Sequence, residues 1–226
     1  MLLYYITDRT QFAGNERSRR ETLLNKLAEA AAASVDYIQL RERDLTARQL
    51  EELAVEAVKR VRDTGSTTRL LINSRIDVAL AAGADGVHLR SDDIPASDAR
   101  AICAKSRKRT DVIIAQSCHS LAEVLSAEAH GADFVVFGPV FGKQGSSTPA
   151  TGVDEISRVV GRGNPADAKV EAGQTLRMPV IALGGITVEN AASCVRPGAA
   201  GVAAIRMFQQ GNVTEVVRRL RSTATI

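Results

Sequence analysis

Residues 179–187 read Pro-Val-Ile-Ala-Leu-Gly-Gly-Ile-Thr, a short apolar run that ends in two adjacent glycines and a helix start. The β-branched run has the length and composition of a buried strand. Gly184 and Gly185 let the backbone adopt dihedrals closed to other residues and come close to a ligand. Amides at the start of the next helix then point at an anion. Strand, double glycine and helix start are the parts of a phosphate pocket. A bare Gly-Gly also serves as a tight turn, so the reading depends on whether the rest of the chain repeats the same alternation.

It does. Short runs rich in Val, Ile and Tyr recur, each followed by a polar turn and a segment with Ala and Leu at helical spacing. Strands are expected at 2–7, 37–41, 69–73, 86–89, 112–117, 134–138, 180–184 and 201–205. Helices are expected at 21–33, 47–63, 76–82, 96–105, 121–129, 153–160, 188–194 and 213–222. Gly83-Ala84-Asp85, Gly131-Ala132-Asp133 and Gly198-Ala199-Ala200 each stand just before a strand, where a glycine ends the preceding helix. The apolar runs do not alternate cleanly, as expected for parallel strands covered on both faces. Eight such units in 226 residues predict the α/β class and a closed (β/α)8 TIM barrel, one domain spanning 1–226. An open doubly wound sheet is the competing fold, but no GxGxxG follows the first strand.

Two stretches break the rhythm. The glycine-rich loop 142–152, GKQGSSTPATG, follows the sixth strand and is placed to act as a lid. Residues 161–175, GRGNPADAKVEAGQT, precede the seventh strand and are expected to form a flexible insertion at the barrel end away from the chemistry.

Composition narrows the function. With 29 basic and 26 acidic residues interspersed, a net charge of +3 gives no broad cationic field, so nucleic acid is not expected as a partner. Cys103, Cys118 and Cys194 form neither a disulfide framework nor a CxxC motif, which fits a reducing compartment. The opening Met-Leu-Leu-Tyr-Tyr-Ile lacks a basic lead and meets Asp8 and Arg9 at once, so neither a signal peptide nor a membrane span is expected. A cytoplasmic protein follows as the expectation.

In a barrel of this kind reactive groups gather at the C-terminal strand ends. Polar residues expected there include Thr7 and Asp8, Gln39, Arg41 and Arg43, Asn73, Ser74 and Arg75, His88, Arg90, Asp92 and Asp93, and Ser117 and His119. Gln39 and Arg41 flank Leu40 and share a face. A buried Arg41 requires an anion, from Glu42, Asp8 or a ligand phosphate. His119 is the general acid or base candidate, while His88, between Val87 and Leu89, reads as a hydrogen-bonded core residue. Asp92 and Asp93 could hold a magnesium ion, or could simply turn the chain into a helix.

The runs YYITD (4–8), QLRERD (39–44), GADGVHL (83–89), SCHS (117–120), GADFVVFGPVF (131–141), PVIALGGI (179–186) and GVAAI (201–205) resemble thiamine phosphate synthase and its TenI-like relative, the thiazole tautomerase. The resemblance covers nearly the whole chain, in order. It implies a barrel that binds a phosphorylated hydroxyethylthiazole, with the phosphate on Gly184, Gly185 and the backbone of Ala203, Ala204 and Ile205. In the synthase a pyrimidine pyrophosphate loses pyrophosphate with Mg2+ assistance, and the thiazole nitrogen captures the cation. The positions implied for this are Gln39, Arg41, Arg43 (usually lysine), Asn73, Asp93 as metal ligand, and Ser117. Barrels of this family often pair, so a homodimer is also implied.

Several positions depart from the synthase pattern. An Asn-Asp pair is replaced by Asn73-Ser74, the Thr-x-Thr-Lys loop is replaced around 142–147 with Lys143 out of place, Gly-Gln becomes Arg90-Ser91, and a serine near the last phosphate site becomes Arg206. Loss of a carboxylate weakens metal binding, while Arg75, Arg90 or Arg206 could neutralise phosphate without one. These departures favour proton transfer through His119, assisted by Ser117, on a thiazole carboxylate phosphate, with no cofactor. The alternatives are a divergent Mg2+-dependent synthase, or a homologue that binds phosphorylated ligands without turnover.

Overall fold

The computed structural model describes residues 1–107, 111–142, 149–161 and 176–223. Most of the expected insertion and lid, including 162–175 and 143–148 with Lys143, lies outside these. Among the described residues, eight parallel strands pair in chain order and close, β8 against β1. They are β1 (Leu2–Ile6), β2 (Tyr37–Leu40), β3 (Arg69–Asn73), β4 (Gly86–Leu89), β5 (Ile113–Cys118), β6 (Phe134–Phe137), β7 (Val180–Leu183) and β8 (Gly201–Ala204). The helices between them are α1 (Glu16–Ala32), α2 (Ala47–Asp63), α3 (Ile76–Ala82), α4 (Ala96–Arg107), α5 (Leu121–Ala129), α6 (Val153–Val159) and α7 (Ala191–Val195). The short α8 (Arg206–Gln209) and α9 (Val213–Thr223) follow β8.

Every strand lies within two residues of its expected position. The differences have local causes. Helix α1 begins at Glu16 because Asn15 caps it, its side chain accepting from Ser18 N at 3.0 Å. Helix α7 begins at Ala191 because 187–190 first form a turn in which Thr187 N donates to Asn190 Oδ1. The four-residue α8 and a 3-10 turn at Arg9–Gln11 are too short to leave a periodic signal.

Alternate strand residues sort to the two faces. Leu3, Tyr5, Ile38, Leu40, Leu70 and Ile72 pack outward under α1 and α2. Tyr4, Leu71, Ala115, Phe134, Ile181 and Ala203 fill the lumen. Its centre is an aromatic cluster in which Tyr37 lies 4.7 Å from Phe134 and Tyr4 meets both rings edge-on. Among the described residues the lumen is therefore packed, and a cleft opens at its mouth.

The end opposite the mouth carries a repeated device that the sequence pattern only hinted at. Asp36, Asp85 and Asp133 stand before β2, β4 and β6. Each donates its own amide to the carbonyl of the preceding strand's residue Leu3, Leu70 or Ile114, and accepts that same residue's amide at 2.7–2.9 Å. An arginine pairs with each aspartate: Arg221, Arg69 and Arg100. In the fourth unit Ala200 N still donates to Val180 O, but no carboxylate is present. The residue two before each of these positions has positive φ: Ser34 at 63°, Gly83 at 69°, Gly131 at 76° and Gly198 at 123°. The amide that follows each reaches back to the helix, as in Ala84 N to Ala79 O at 3.0 Å. Ser34 is the non-glycine in a position made for glycine. Ser34→Gly is therefore expected to stabilise the fold by about 0.5–1 kcal/mol. Asp133→Ala, which strips Ile114 N–H of its acceptor, is expected to cost about 1–3 kcal/mol. Urea denaturation of the two variants checks both signs.

Candidate active site

The mouth is built first from a contact between two stretches of backbone. Beyond β7 the chain passes through Gly184 (φ 103°) and Gly185 (φ 64°). The segment after β6 crosses this turn, Val140 N donating to Leu183 O at 2.8 Å and Phe141 N to Gly184 O at 3.0 Å. A Cβ on Gly184 would lie 2.6 Å from Pro139 Cα, and one on Gly185 would lie 2.7 Å from Phe141 Cβ. Dihedrals and close packing thus each require glycine here. Between this turn and the end of β8 lies a cleft of about 120 Å³. Gly184, Gly185, Ala203, Ala204 and Ile205 line it, together with Arg206 at the start of α8 and Gln11. The first amides of a helix have no intrahelical acceptor and are free for an anion.

A polar chain runs up through the lumen to the mouth. Tyr4 Oη lies 2.9 Å from His88 Nδ1, and His88 Nε2 lies 2.8 Å from Ser117 Oγ. Burial, with the Arg41 charge nearby, pushes the His88 pKa down to about 3. His88 is thus the hydrogen-bonded core residue that its apolar neighbours suggested. Beside the chain Gln39 is buried, and its Nε2 has no hydrogen-bond partner among the described residues.

Arg41 and Glu42 do not pair with each other. Glu42 accepts from Thr7 Oγ1 at 2.5 Å, Arg9 N at 3.0 Å and Arg9 Nη1 at 3.1 Å. Arg9 is buried and also binds Asp44 at 2.7 Å and Glu16 at 2.7 Å. Burial works against its charge, but the bonds to Asp44, Glu16 and Glu42 outweigh it and raise the pKa. Arg41, half-buried beyond the end of β2, makes no ion pair among the described residues, and neither do the exposed Arg43 or Arg206. Burial and the Arg43 charge lower the Arg41 pKa. A guanidinium so placed is fit to receive an anionic ligand. The sequence alone does not disclose Arg9 as the residue that occupies Glu42, because the two lie 33 positions apart. Gln209 was equally hidden. Its side chain clamps α8 to the β1 loop by accepting from Asp8 N at 2.8 Å and donating to Asp8 O at 3.0 Å.

His119 follows β5 directly and is exposed. Its Nδ1–H donates to Gly138 O at 2.5 Å, since a carbonyl can only accept. In the neutral ring Nε2 then carries the lone pair, as a base requires. Beyond the neighbouring strand β4, Asp93 Oδ2 accepts from Ser74 Oγ and Arg90 N, both at 2.7 Å, and Asn73 Nδ2 donates to Ser74 Oγ at 3.3 Å. No group of three or more His, Cys, Asp or Glu side chains that could hold a metal occurs among the described residues. Magnesium commonly needs only one or two carboxylates when substrate phosphates complete its shell. Asp93, whose Oδ1 accepts none of the bonds above, fits that limited role.

Two outcomes follow. Gly185→Ala should lose binding of phosphorylated ligands and destabilise the fold, since the new methyl meets Phe141; calorimetric titration and thermal unfolding report each effect. His88, with its folded pKa well below the ordinary value of about 6.5, favours the fold only while neutral. As pH falls from about 6.5 towards 3 the unfolded chain takes up an extra proton, and stability drops by up to about 1.4 kcal/mol per pH unit. His88→Gln should remove this component, seen as a smaller difference between urea unfolding at about pH 7 and about pH 5.

Comparison with known proteins places this geometry. The family described as thiamine monophosphate synthase matches residues 3–208. Thiamine-phosphate synthase of Methanoculleus marisnigri is 38% identical over 220 residues, covering 97% of this chain and 93% of that protein. The corresponding protein of Syntrophomonas wolfei is 32% identical over 222 residues, covering 97% and 94%. Thiamine phosphate pyrophosphorylase from Pyrococcus furiosus superposes with a TM-score of 0.77 at 27% identity, covering 99% of this chain and 95% of that one. A 3-hexulose-6-phosphate synthase, at 16% identity and a TM-score of 0.68, shares the fold alone. On the family match and these identities, the chain belongs to the thiamine monophosphate synthase family, in thiamine biosynthesis.

Proposed function

We propose that the protein is a thiamine-phosphate synthase, joining a pyrimidine methyl pyrophosphate to a hydroxyethylthiazole phosphate. One observation carries the reading: two separate parts of the mouth are suited to anions, the β7–β8 cleft with Arg206, and Arg41 and Arg43 beyond β2, which make no ion pair among the described residues. The named synthases with which the chain aligns almost end to end support it further.

In this reading the thiazole phosphate rests on the amides around Gly184 and Gly185 and at the start of α8. Arg41 and Arg43 face the pyrophosphate and stabilise the negative charge that grows as the carbon–oxygen bond breaks. Magnesium, when bound, neutralises part of that charge. Asp93 would hold it, with Asn73 alongside. The thiazole nitrogen donates its lone pair to the pyrimidine methylene carbon, and the bond electrons leave with pyrophosphate. Gln39 and Ser117 border the space where the pyrimidine ring would lie.

A second reading is favoured by one specific contact. His119 has Nδ1 committed to Gly138 O and Nε2 free to move a proton, and Ser74 stands where a second carboxylate would strengthen a metal site. Both suit a thiazole tautomerase, which needs neither metal nor pyrophosphate.

The two readings separate cleanly. Incubation with pyrimidine pyrophosphate, thiazole phosphate and Mg2+ is expected to release thiamine phosphate and pyrophosphate in equal amounts. Arg41→Gln should lower kcat/KM by about 10²-fold, and His119→Ala by far less. Failure to form thiamine phosphate, with accelerated conversion of the thiazole carboxylate tautomer that His119→Ala abolishes, would reverse the assignment.

A further inference from the structure

We propose that His88 is a positioning residue. Held in one tautomer by Tyr4, it fixes Ser117 Oγ as a hydrogen-bond donor towards the mouth, so that the ring bound there must offer Ser117 a lone pair. The catalytic part of this inference rests on the synthase reading; the tautomer does not.

The polarity of the chain follows from what its lower end can do. Tyr4 is wholly buried and stays a phenol, because burial raises its pKa. Its O–H must find an acceptor, and His88 Nδ1 lies 2.9 Å away. The nearby Gln39 presents its amide nitrogen, which is a donor. Nδ1 therefore accepts, and a neutral imidazole that accepts at Nδ1 carries its proton on Nε2. Nε2–H then donates to Ser117 Oγ at 2.8 Å. Ser117 cannot send its own proton back along that line, so its O–H turns towards the mouth. The opposite polarity would have Ser117 donate to Nε2 and Nδ1–H donate to Tyr4, leaving a fully buried phenol O–H without an acceptor. Gln39 Nε2, with one N–H to spare beyond the one near Tyr4, adds a donor on the same floor. Together they select a heteroaromatic ring with in-plane acceptor nitrogens over one that presents N–H groups.

Tyr4→Phe tests this without touching the mouth and nearly conserves volume. In two-dimensional 1H–15N spectra of the imidazoles, His88 should be a pure Nε2–H tautomer in the wild type and a mixture in Tyr4→Phe. In the synthase assay Tyr4→Phe should lower kcat/KM about tenfold. Tyr4→Phe/Ser117→Ala should be no slower than Ser117→Ala alone. A wild-type Nδ1–H tautomer, a Tyr4→Phe spectrum like the wild type, or losses that multiply in the double variant would overturn the proposal. Should the wild type form no thiamine phosphate, the synthase reading fails separately, and the tautomer spectra alone decide whether the chain has the stated polarity.

Discussion

The absence of two β-carbons governs this molecule's mouth. The segment Pro139–Phe141 can lie across the β7 turn, and exchange main-chain hydrogen bonds with it, only because positions 184 and 185 carry no side chains. That contact fixes the rim between β6 and β7, and the same turn forms one wall of the β7–β8 cleft. It also orders Gly138, whose carbonyl anchors the ring of His119. Cleft, rim and candidate base are thus consequences of one close approach between backbones, and a side chain at either glycine would disturb all of them.

A second economy concerns charge. Glu42 is buried, and an unpaired carboxylate there would cost several kcal/mol. Arg9 and Thr7 satisfy it from β1's end. Because that partnership is internal, the neighbouring half-buried Arg41 makes no ion pair among the described residues. Of these two arginines Arg9 alone reaches the buried carboxylate of Glu42.

Most of the fold could be read from the sequence because a closed parallel barrel writes the same signal eight times: a short β-branched run, a polar turn, a helix and a cap. The Gly-Gly turn was legible for the same reason, since it interrupts a strand pattern at a fixed point. Positions at strand ends were also accessible, which is why Gln39, Ser117 and His119 could be placed at the C-terminal end of β2 and β5. What could not be read was pairing across the lumen. Nothing along the chain tells that Tyr4 meets His88, 84 positions away, or that Glu42 goes to Arg9 rather than Arg41. Such choices depend on strand register. Short elements such as α8 were missed because four residues carry no period, although Arg206 at its start proves to line the cleft.

The aspartate device at the closed end separates durability from chemistry. Three carboxylates, each tying one strand pair and one arginine, brace the barrel at the end opposite the mouth. Substitution at the rim, for example at Ser74, Arg90 or Arg206, can therefore leave the bracing intact. Their spacing at every second unit marks a two-strand module used four times, and the lapse at Ala200 falls in the module that carries the β7–β8 cleft. A barrel braced in this way can accept new residues at its loop tips without loss of its framework.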